Sequence, residues 1–110
     1  MKQKINENEV IYHTNDTHKG GSLIDDSLGA RNDFCMGISE YFAEEFGKMG
    51  RHSVQEGFYV IEGNGYAKVA DDEFSIKKGD SFLVPAGAEH VLRKNKNSQT
   101  LKVLWAHGAS

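Results

Sequence analysis

Two short segments of the chain contain residues that could bind a metal ion. Segment 52–63 contains His52 and Glu56, which are four positions apart, and segment 79–90 ends in His90. Two imidazoles and one carboxylate leave coordination positions open on Fe, Mn, Ni, Co or Zn, where water or a substrate can bind. The sequence therefore predicts a site for one divalent transition metal per chain, with His52, Glu56 and His90 as its ligands.

Short strands must position these residues. From residue 33 onward, apolar runs alternate with turn signals about every ten residues, which is typical of a β-sandwich or β-barrel. The expected strands cover residues 34–42, 52–61, 66–70, 73–77, 81–84, 88–93 and 100–106, with a hairpin turn at 63–65. Residues 39–48 could instead form a short amphipathic helix, although ten residues are marginal for a helix.

Strand parity connects the first segment to a pocket. His52 and Glu56 would point to the same face of a regular strand, and Phe58 and Val60 share that parity. A carboxylate on an interior face costs several kcal/mol unless a cation or strong donors compensate it. If this face lines the barrel, Glu56 therefore needs either a bound cation or strong hydrogen-bond donors.

The N-terminal third is polar and weakly patterned. Residues 1–32 contain one strand-like run, at 10–12, and a loop rich in Gly, Ser and Asp at 20–30. We therefore predict an irregular N-terminal arm and loop over residues 1–32 and one β-barrel domain over residues 33–110.

Composition limits the possible partners and location. The chain has 13 Lys and Arg against 16 Asp and Glu and no long basic block, so nucleic acid is not an expected partner. No run approaches the roughly 20 apolar residues of a membrane span, and the N-terminus lacks the apolar run of a signal peptide. The single cysteine, Cys35, cannot form an internal disulfide and is expected to be a buried, inert thiol. These features predict a cytoplasmic protein.

The same segments resemble the two characteristic motifs of the cupin superfamily, whose fold is a β-barrel of the jelly-roll type. The second motif combines Gly-Asp, a Pro-x-Gly turn, a His three residues later and a following Asn. Its counterparts here are Gly79-Asp80, Pro85-Ala86-Gly87, His90 and Asn95, with a modest difference in the spacing to Asn95. The resemblance covers roughly residues 34–106, and it implies that His90 joins the other ligands from a neighbouring strand.

The first motif departs from the family pattern at one position. Glu56 and the run from Tyr59 to Gly63 match, and His52 takes the place of the second His, but Gly50 stands where the family has its first His. A fourth ligand could come from Gln55, Tyr59, His13 or His18, and the sequence does not select among them. His13 and His18 are expected to be exposed loop residues. A cupin that has lost its metal is the alternative interpretation.

Two further residues are candidates for catalysis. Trp105 and His107 share parity near the C-terminus, so both could face the mouth of the cavity, and His107 could then act as a general base. Tyr59 could act as an acid if its hydroxyl lay near the metal.

Three functions remain open on this basis. The first is a metalloenzyme that acts on a polar small molecule, a sugar derivative or carboxylic acid, by isomerase, epimerase or lyase chemistry. The second is an Fe-dependent dioxygenase, and the third is a non-catalytic metabolite-binding protein. Because single-domain cupins commonly dimerise, the resemblance also implies a homodimer, in which the N-terminal arm could cross to the partner.

Overall fold

The computed structural model describes residues 3–108, which form nine β-strands and two short 3-10 turns at Glu7–Glu9 and Asp26–Leu28. The strands are β1 (His13–Thr14), β2 (His18–Ile24), β3 (Cys35–Tyr41), β4 (Gly50–Arg51), β5 (Gln55–Val69), β6 (Asp72–Lys77), β7 (Ser81–Val84), β8 (Glu89–Lys94) and β9 (Leu101–Gly108). The residues between β3 and β4 form a loop, so the helical alternative for 39–48 is excluded. Over the described range, no helix has the length and apolarity needed to cross a membrane.

The fold is the all-β jelly-roll barrel that the motifs predicted, and β5 connects its two layers. The first half of β5, residues 55–63, pairs with β7 and β9, and the order on that side continues through β3 and β2 to β1. The second half, residues 64–69, pairs with β6 and β8, and β8 pairs with β4. One long bent strand therefore lies between four neighbours.

The predicted hairpin turn at residues 63–65 is wrong, because β5 runs through it without interruption. Gly63 has a φ of +85°, and a Cβ at this position would collide with the carbonyl oxygen of Thr100. A Cβ at Gly65 would collide with the carbonyl oxygen of Arg93. The two glycines thus permit close backbone approach where the strand bends from one layer into the other, rather than a chain reversal.

The N-terminal arm contains two strands that the sequence did not predict. β2 pairs with β3 from His18 opposite Tyr41 to Ile24 opposite Met36, and β1 extends this sheet. The strand signal was weak because β2 has the sequence His-Lys-Gly-Gly-Ser-Leu-Ile, and glycine is unfavourable in strands. The strand predicted at 10–12 lies just before β1, outside regular structure. The domain boundary at residue 33 remains a prediction.

The core lies between the two layers. Its buried side chains come from β5 and from the strands that pair with it: Phe58, Val60, Ala67, Ile76, Val84, Leu92, Leu101 and Val103, together with Tyr41 of β3. Phe58 stacks on Phe82 with ring centroids 4.9 Å apart. The inward positions of β5 therefore lead from this apolar core directly to Glu56 at the start of the strand.

Candidate metal centre

Strand pairing brings the three predicted ligands to one end of the barrel. Glu56 lies on β5 opposite His107 of β9, and His90 lies on β8 opposite Gly50 of β4. His52 does not share a regular strand with Glu56, because β4 ends at Arg51 and β5 begins at Gln55. The parity argument for His52 was therefore wrong, yet the short link between the two strands places its ring beside Glu56.

The distances within this group suit a shared metal ion. Glu56 Oε1 lies 3.5 Å from His52 Nε2 and 3.2 Å from His90 Nε2. One ligand atom from each of the three side chains lies within 4.8 Å of the others. Glu56 and His90 are buried, whereas the side chain of His52 is 45% exposed and lies on the solvent side of the group.

One oxygen of the Glu56 carboxylate has imidazole nitrogens nearby but no hydrogen bond among the described residues. Within residues 3–108, buried Glu56 Oε1 accepts no hydrogen bond, and buried His90 Nδ1 has no hydrogen-bond partner either. A buried carboxylate oxygen without a donor is costly, and a cation between it and the two imidazoles would remove that cost. The donor set of two nitrogens and one carboxylate also suits a divalent transition metal, so the residues fit the predicted metal.

Gly50 leaves one side of this group open. Its nearest contacts for an added Cβ are Cε1 and the carbonyl oxygen of His90, both at 4.0 Å, which is ordinary van der Waals distance. A side chain at position 50 could therefore reach the metal position, but glycine offers none. Of the four candidates for a fourth ligand, Gln55 and Tyr59 occupy exposed, outward positions of β5, and His13 and His18 belong to the cavity wall described below.

His107 lies beside the three ligands. Its ring stacks on that of His52 with centroids 5.2 Å apart and on that of Trp105 at 5.3 Å. Both ring nitrogens of His107 lie 3.3 Å from Cys35 Sγ. Cys35 is half-buried, and burial, followed by the negative charge of Glu56, raises the pKa of its thiol, which keeps it protonated.

The side chain of Tyr59 points away from this group. Its side chain is 45% exposed and packs on the outer face of the barrel, in a shallow apolar groove with Leu83, Leu104 and Ala106. Glu56, Phe58 and Val60 alternate with it and point inward. A role for the Tyr59 hydroxyl at the metal is therefore not supported by its position.

A cavity of about 450 Å³ opens from the three candidate ligands towards β1, β2 and the loop after β3. Its lining residues are His13, Asn15, Thr17, His18, Gly20, Ser39, Tyr41, Lys48, Gly50, His52, Glu56, Phe58, His90, Val91, Leu92, Trp105 and His107. Trp105 donates a hydrogen bond from Nε1 to Ser39 Oγ at 3.0 Å, which fixes the indole in the wall. The volume is in the range of small-molecule sites.

His13 and His18 were expected in exposed loops, and the structure corrects this. Both lie on strands and line the cavity, although His13 remains exposed at its mouth. His18 is half-buried and stacks on Tyr41 with ring centroids 4.5 Å apart. Burial lowers the pKa of His18 below 6.5, so its ring is neutral at pH 7.

The sequence interpretation did not identify three features of this region. Lys48 and Asn15 line the cavity, and Cys35 contacts His107. Lys48 and Asn15 lie in loops whose path depends on the tertiary fold. The pairing of Cys35 with His107 across β3 and β9 likewise follows from strand order, for which local sequence gives no signal.

Comparison with known proteins agrees with this architecture. A family model described as "Cupin domain" matches residues 42–107. A protein of Methanocaldococcus jannaschii, described as the uncharacterized protein MJ1618, is 27% identical over 93 residues, which cover 78% of this chain and 72% of the relative.

Solved structures share the fold at low sequence identity. The polyketide cyclase RemF from Streptomyces resistomycificus superposes with a TM-score of 0.83 at 18% identity, covering all of this chain and 81% of that one. An RmlC-like cupin from Shewanella frigidimarina gives 0.79 at 15% identity, over 100% and 93% of the two chains. A structure of iron(II) HppE gives 0.73 at 16% identity, but this chain covers only 55% of that protein's length and 89% of its own.

Proposed function

Because the chain belongs to the cupin family, we propose that it is a small metalloenzyme that acts on a polar small molecule through a metal held by His52, Glu56 and His90. The observation that supports this most strongly is the buried Glu56 oxygen, which faces two imidazole nitrogens and accepts no hydrogen bond from residues 3–108. The substrate class is a sugar derivative or a carboxylic acid, and the reaction is an isomerisation, epimerisation or elimination.

The metal is a divalent ion, one of Fe, Mn, Ni, Co or Zn. When bound, it would supply Lewis-acid polarisation of a substrate carbonyl or hydroxyl. The three residues would hold it at one side of the cavity, and the glycine at position 50 would leave that place accessible from the cavity.

His107 is the proposed general base. Its imidazole lines the cavity next to His52, so a ring nitrogen could accept a proton from a substrate carbon or hydroxyl and return it elsewhere on the substrate. The His107 ring lies between the rings of Trp105 and His52 and stacks on both, which holds its plane. The protonated thiol of Cys35 cannot compete as a base. Trp105 and Phe58 would pack against the carbon skeleton of the substrate and exclude water.

Metal analysis tests the first step. Protein purified without chelator should contain about one metal per chain, and His90→Ala should lose it. His13→Ala is the matched control, because it removes an imidazole of the same cavity that lies outside the group of three; metal loss in this variant too would identify His13 as the fourth ligand. Metal-free wild-type protein, or full retention in His90→Ala, would contradict the assignment.

An Fe-dependent dioxygenase is the second candidate. Two His and one carboxylate with open positions form the ligand set of many non-haem iron oxygenases, and Gly50 supplies no further ligand here. Oxygen consumption by the Fe(II)-loaded protein across a substrate panel separates the two. Turnover without oxygen uptake supports the isomerase or lyase, and stoichiometric uptake supports the dioxygenase. Saturable binding without turnover under either condition would instead identify a metabolite-binding protein.

We also propose a homodimer that forms through the outer face of the barrel. Because β1 and β2 pair within their own chain, the support comes not from the arm but from the apolar groove around Tyr59 and Leu83, which are 45% and 58% exposed. Adjacent exposed apolar side chains of this kind often mark an interface. Light scattering should give a dimer mass, and Leu83→Glu should reduce it to a monomer, whereas Ser75→Glu on the exposed face of β6 should not. A monomeric wild type would contradict this proposal.

We propose a cytoplasmic location because the chain has a single cysteine. Cys35 lies beside His107 rather than beside another cysteine, and a free thiol persists most readily in a reducing compartment. Fractionation of the source cells would test it.

A further inference from the structure

Charged and titratable side chains are distributed unevenly over the molecule. The chain contains 5 His and 16 Asp and Glu. All five histidines line the cavity, two of them as proposed metal ligands, whereas Glu56 is the one acidic residue among the described lining residues. Lys48 is the single lysine in that lining. The lining is therefore rich in imidazoles and poor in acidic groups, although the chain has a formal net charge of -3.

The rim of this cavity is held in place by hydrogen bonds. Asn15 Oδ1 accepts from the backbone N–H groups of Thr17 and His18 at 2.9 and 3.0 Å, which fixes the turn between β1 and β2. The carbonyl of Thr17 accepts from the N–H groups of Phe42 and Ala43 at 3.1 and 3.2 Å. These bonds tie the loop that contains Lys48 to the turn beside His18, so the basic groups surround one opening.

Two of the rim side chains are available to a ligand. Across the part of the chain that the structure describes, the Lys48 ammonium and the His13 imidazole form no hydrogen bond or ion pair, and both residues are exposed at the cavity mouth. An ammonium donates three hydrogen bonds and an imidazole one or two, which suits an oxyanion.

The charge balance of the loaded site is positive. A divalent cation adds two positive charges and Lys48 adds one, against the single negative charge of Glu56, so a net charge of about +2 remains even with every imidazole neutral. Low-dielectric walls such as Phe58, Leu92 and Trp105 concentrate that field. An anionic ligand would neutralise it, whereas a neutral or cationic ligand would not.

A second cavity, of about 630 Å³, lies on the other side of His52 and His107 and has the opposite character. Asp25, Asp26 and Asp33 line it, and no lysine or arginine appears among its described lining residues. The two cavities have only His52 and His107 in common. An anion is therefore repelled at one opening and attracted at the other.

We infer that the ligand of this site is a small organic oxyanion, a carboxylate or a phosphate ester, which enters past His13, His18 and Lys48. Its charged group is stabilised by Lys48, by the rim imidazoles and by the metal, and its carbon skeleton packs on Trp105 and Phe58. This inference rests on the proposed function, because the metal contributes the largest positive charge.

The fluorescence of Trp105 measures binding, since Trp105 is the single tryptophan of the chain and lines the cavity. The Zn²⁺-loaded full chain is titrated at low salt with phenylacetate, phenyl phosphate and phenylacetamide, the last of which has nearly the shape of phenylacetate without its charge. We expect at least one anion to bind about tenfold more tightly than the amide. The preferred anion identifies whether the natural group is a carboxylate or a phosphate.

Variants then connect the preference to the rim. Lys48→Met should weaken anion binding about threefold to tenfold without changing amide binding, and His13→Gln should act in the same direction. Lys96→Met is the matched control, because Lys96 is an exposed lysine outside the cavity and should leave all three affinities unchanged. Equal affinity for amide and anions, absence of binding by all three probes, or an anion preference that survives Lys48→Met together with His13→Gln would overturn the inference.

Zn²⁺ stoichiometry, measured by calorimetry on the same sample, distinguishes failure of the anion inference from failure of the proposed metal site. Bound Zn²⁺ with no anion preference would overturn the inference and leave the proposed metal site intact. If Zn²⁺ does not bind, the proposed function fails, and the metal-free titrations decide the inference alone. An anion preference that depends on Lys48 would then support it, and its absence would overturn it.

Discussion

The two faces of β5 differ in a way that reverses the usual rule for soluble proteins. On the inner face Glu56 is 5% exposed, and on the outer face Tyr59 is 45% exposed, although only two residues separate them. Charged groups are normally exposed, and large apolar groups are normally buried. The buried carboxylate supports the proposed metal site, and the exposed ring supports the proposed dimer interface. The two faces of one strand therefore carry two different proposals.

The largest expected effect concerns neighbouring aromatic residues on the two faces. Phe58 is 5% exposed and stacks on Phe82, so Phe58→Ala should lower the free energy of unfolding by about 3–5 kcal/mol. Tyr59→Ala should cost about 1 kcal/mol or less in the monomer, because its ring is already partly solvated. Urea denaturation at a protein concentration below the dimer range measures both. Similar losses of unfolding free energy in the two variants would show that the Tyr59 ring contributes to the stability of the monomer as the core does.

Removal of the negative charge of Glu56 should have the next largest effect. Glu56→Gln should reduce metal affinity about 100-fold or more, because an amide is a much weaker ligand than a carboxylate. Glu62→Gln is the matched control: it changes the same residue type on the same strand at an exposed position. Calorimetric titration with Zn²⁺ measures both affinities. Unchanged affinity in Glu56→Gln would remove the carboxylate from the ligand set.

The open side of the metal centre offers a gain-of-function test. Gly50→His places an imidazole opposite His90, where an added Cβ meets no atom closer than 4.0 Å, so we expect metal affinity to increase about tenfold. Gly57→His, on the outer side of β5 where an added Cβ is also unobstructed, should leave the affinity unchanged. Co²⁺ absorption spectra would show a change in the ligand set only for the first variant. A loss of affinity in Gly50→His would mean that position 50 must stay open for the metal to enter.

The smallest expected effect is a pH dependence of stability from His18. Burial lowers its pKa below the unfolded value of 6.5, so the unfolded chain binds the proton more readily than the folded chain. The stabilisation is therefore fully present above pH 6.5 and decreases as the pH falls through the lower pKa of the folded state. Imidazole titration by NMR should place the pKa of His18 below 6.5, and His18→Gln should flatten the fall in unfolding free energy between pH 7 and pH 5. A His18 pKa at or above 6.5 would contradict this.

Local patterns predicted the barrel and the residues of the candidate metal site because the motifs that indicate each of them span short spacings. β7 falls where alternation and Pro85 place it, and the residue types at 56 and 90 are readable in the motifs around them. The path of β5 through Gly63 was not predictable, because a glycine pair favours a hairpin and a close backbone approach equally. The strand pairing of residues 18–24 was missed because glycines weaken its local signal.

The sequence alone determined the barrel and which residue types could bind a metal, because motifs of a dozen residues and a period-two pattern depend on near neighbours in the chain. Only the tertiary structure decided that all five histidines share one cavity, that His107 stacks on His52 and that Tyr59 faces outward. These relations join residues up to 94 positions apart, from His13 to His107. Strand order and the bend in β5 fix them, and no local interaction encodes either.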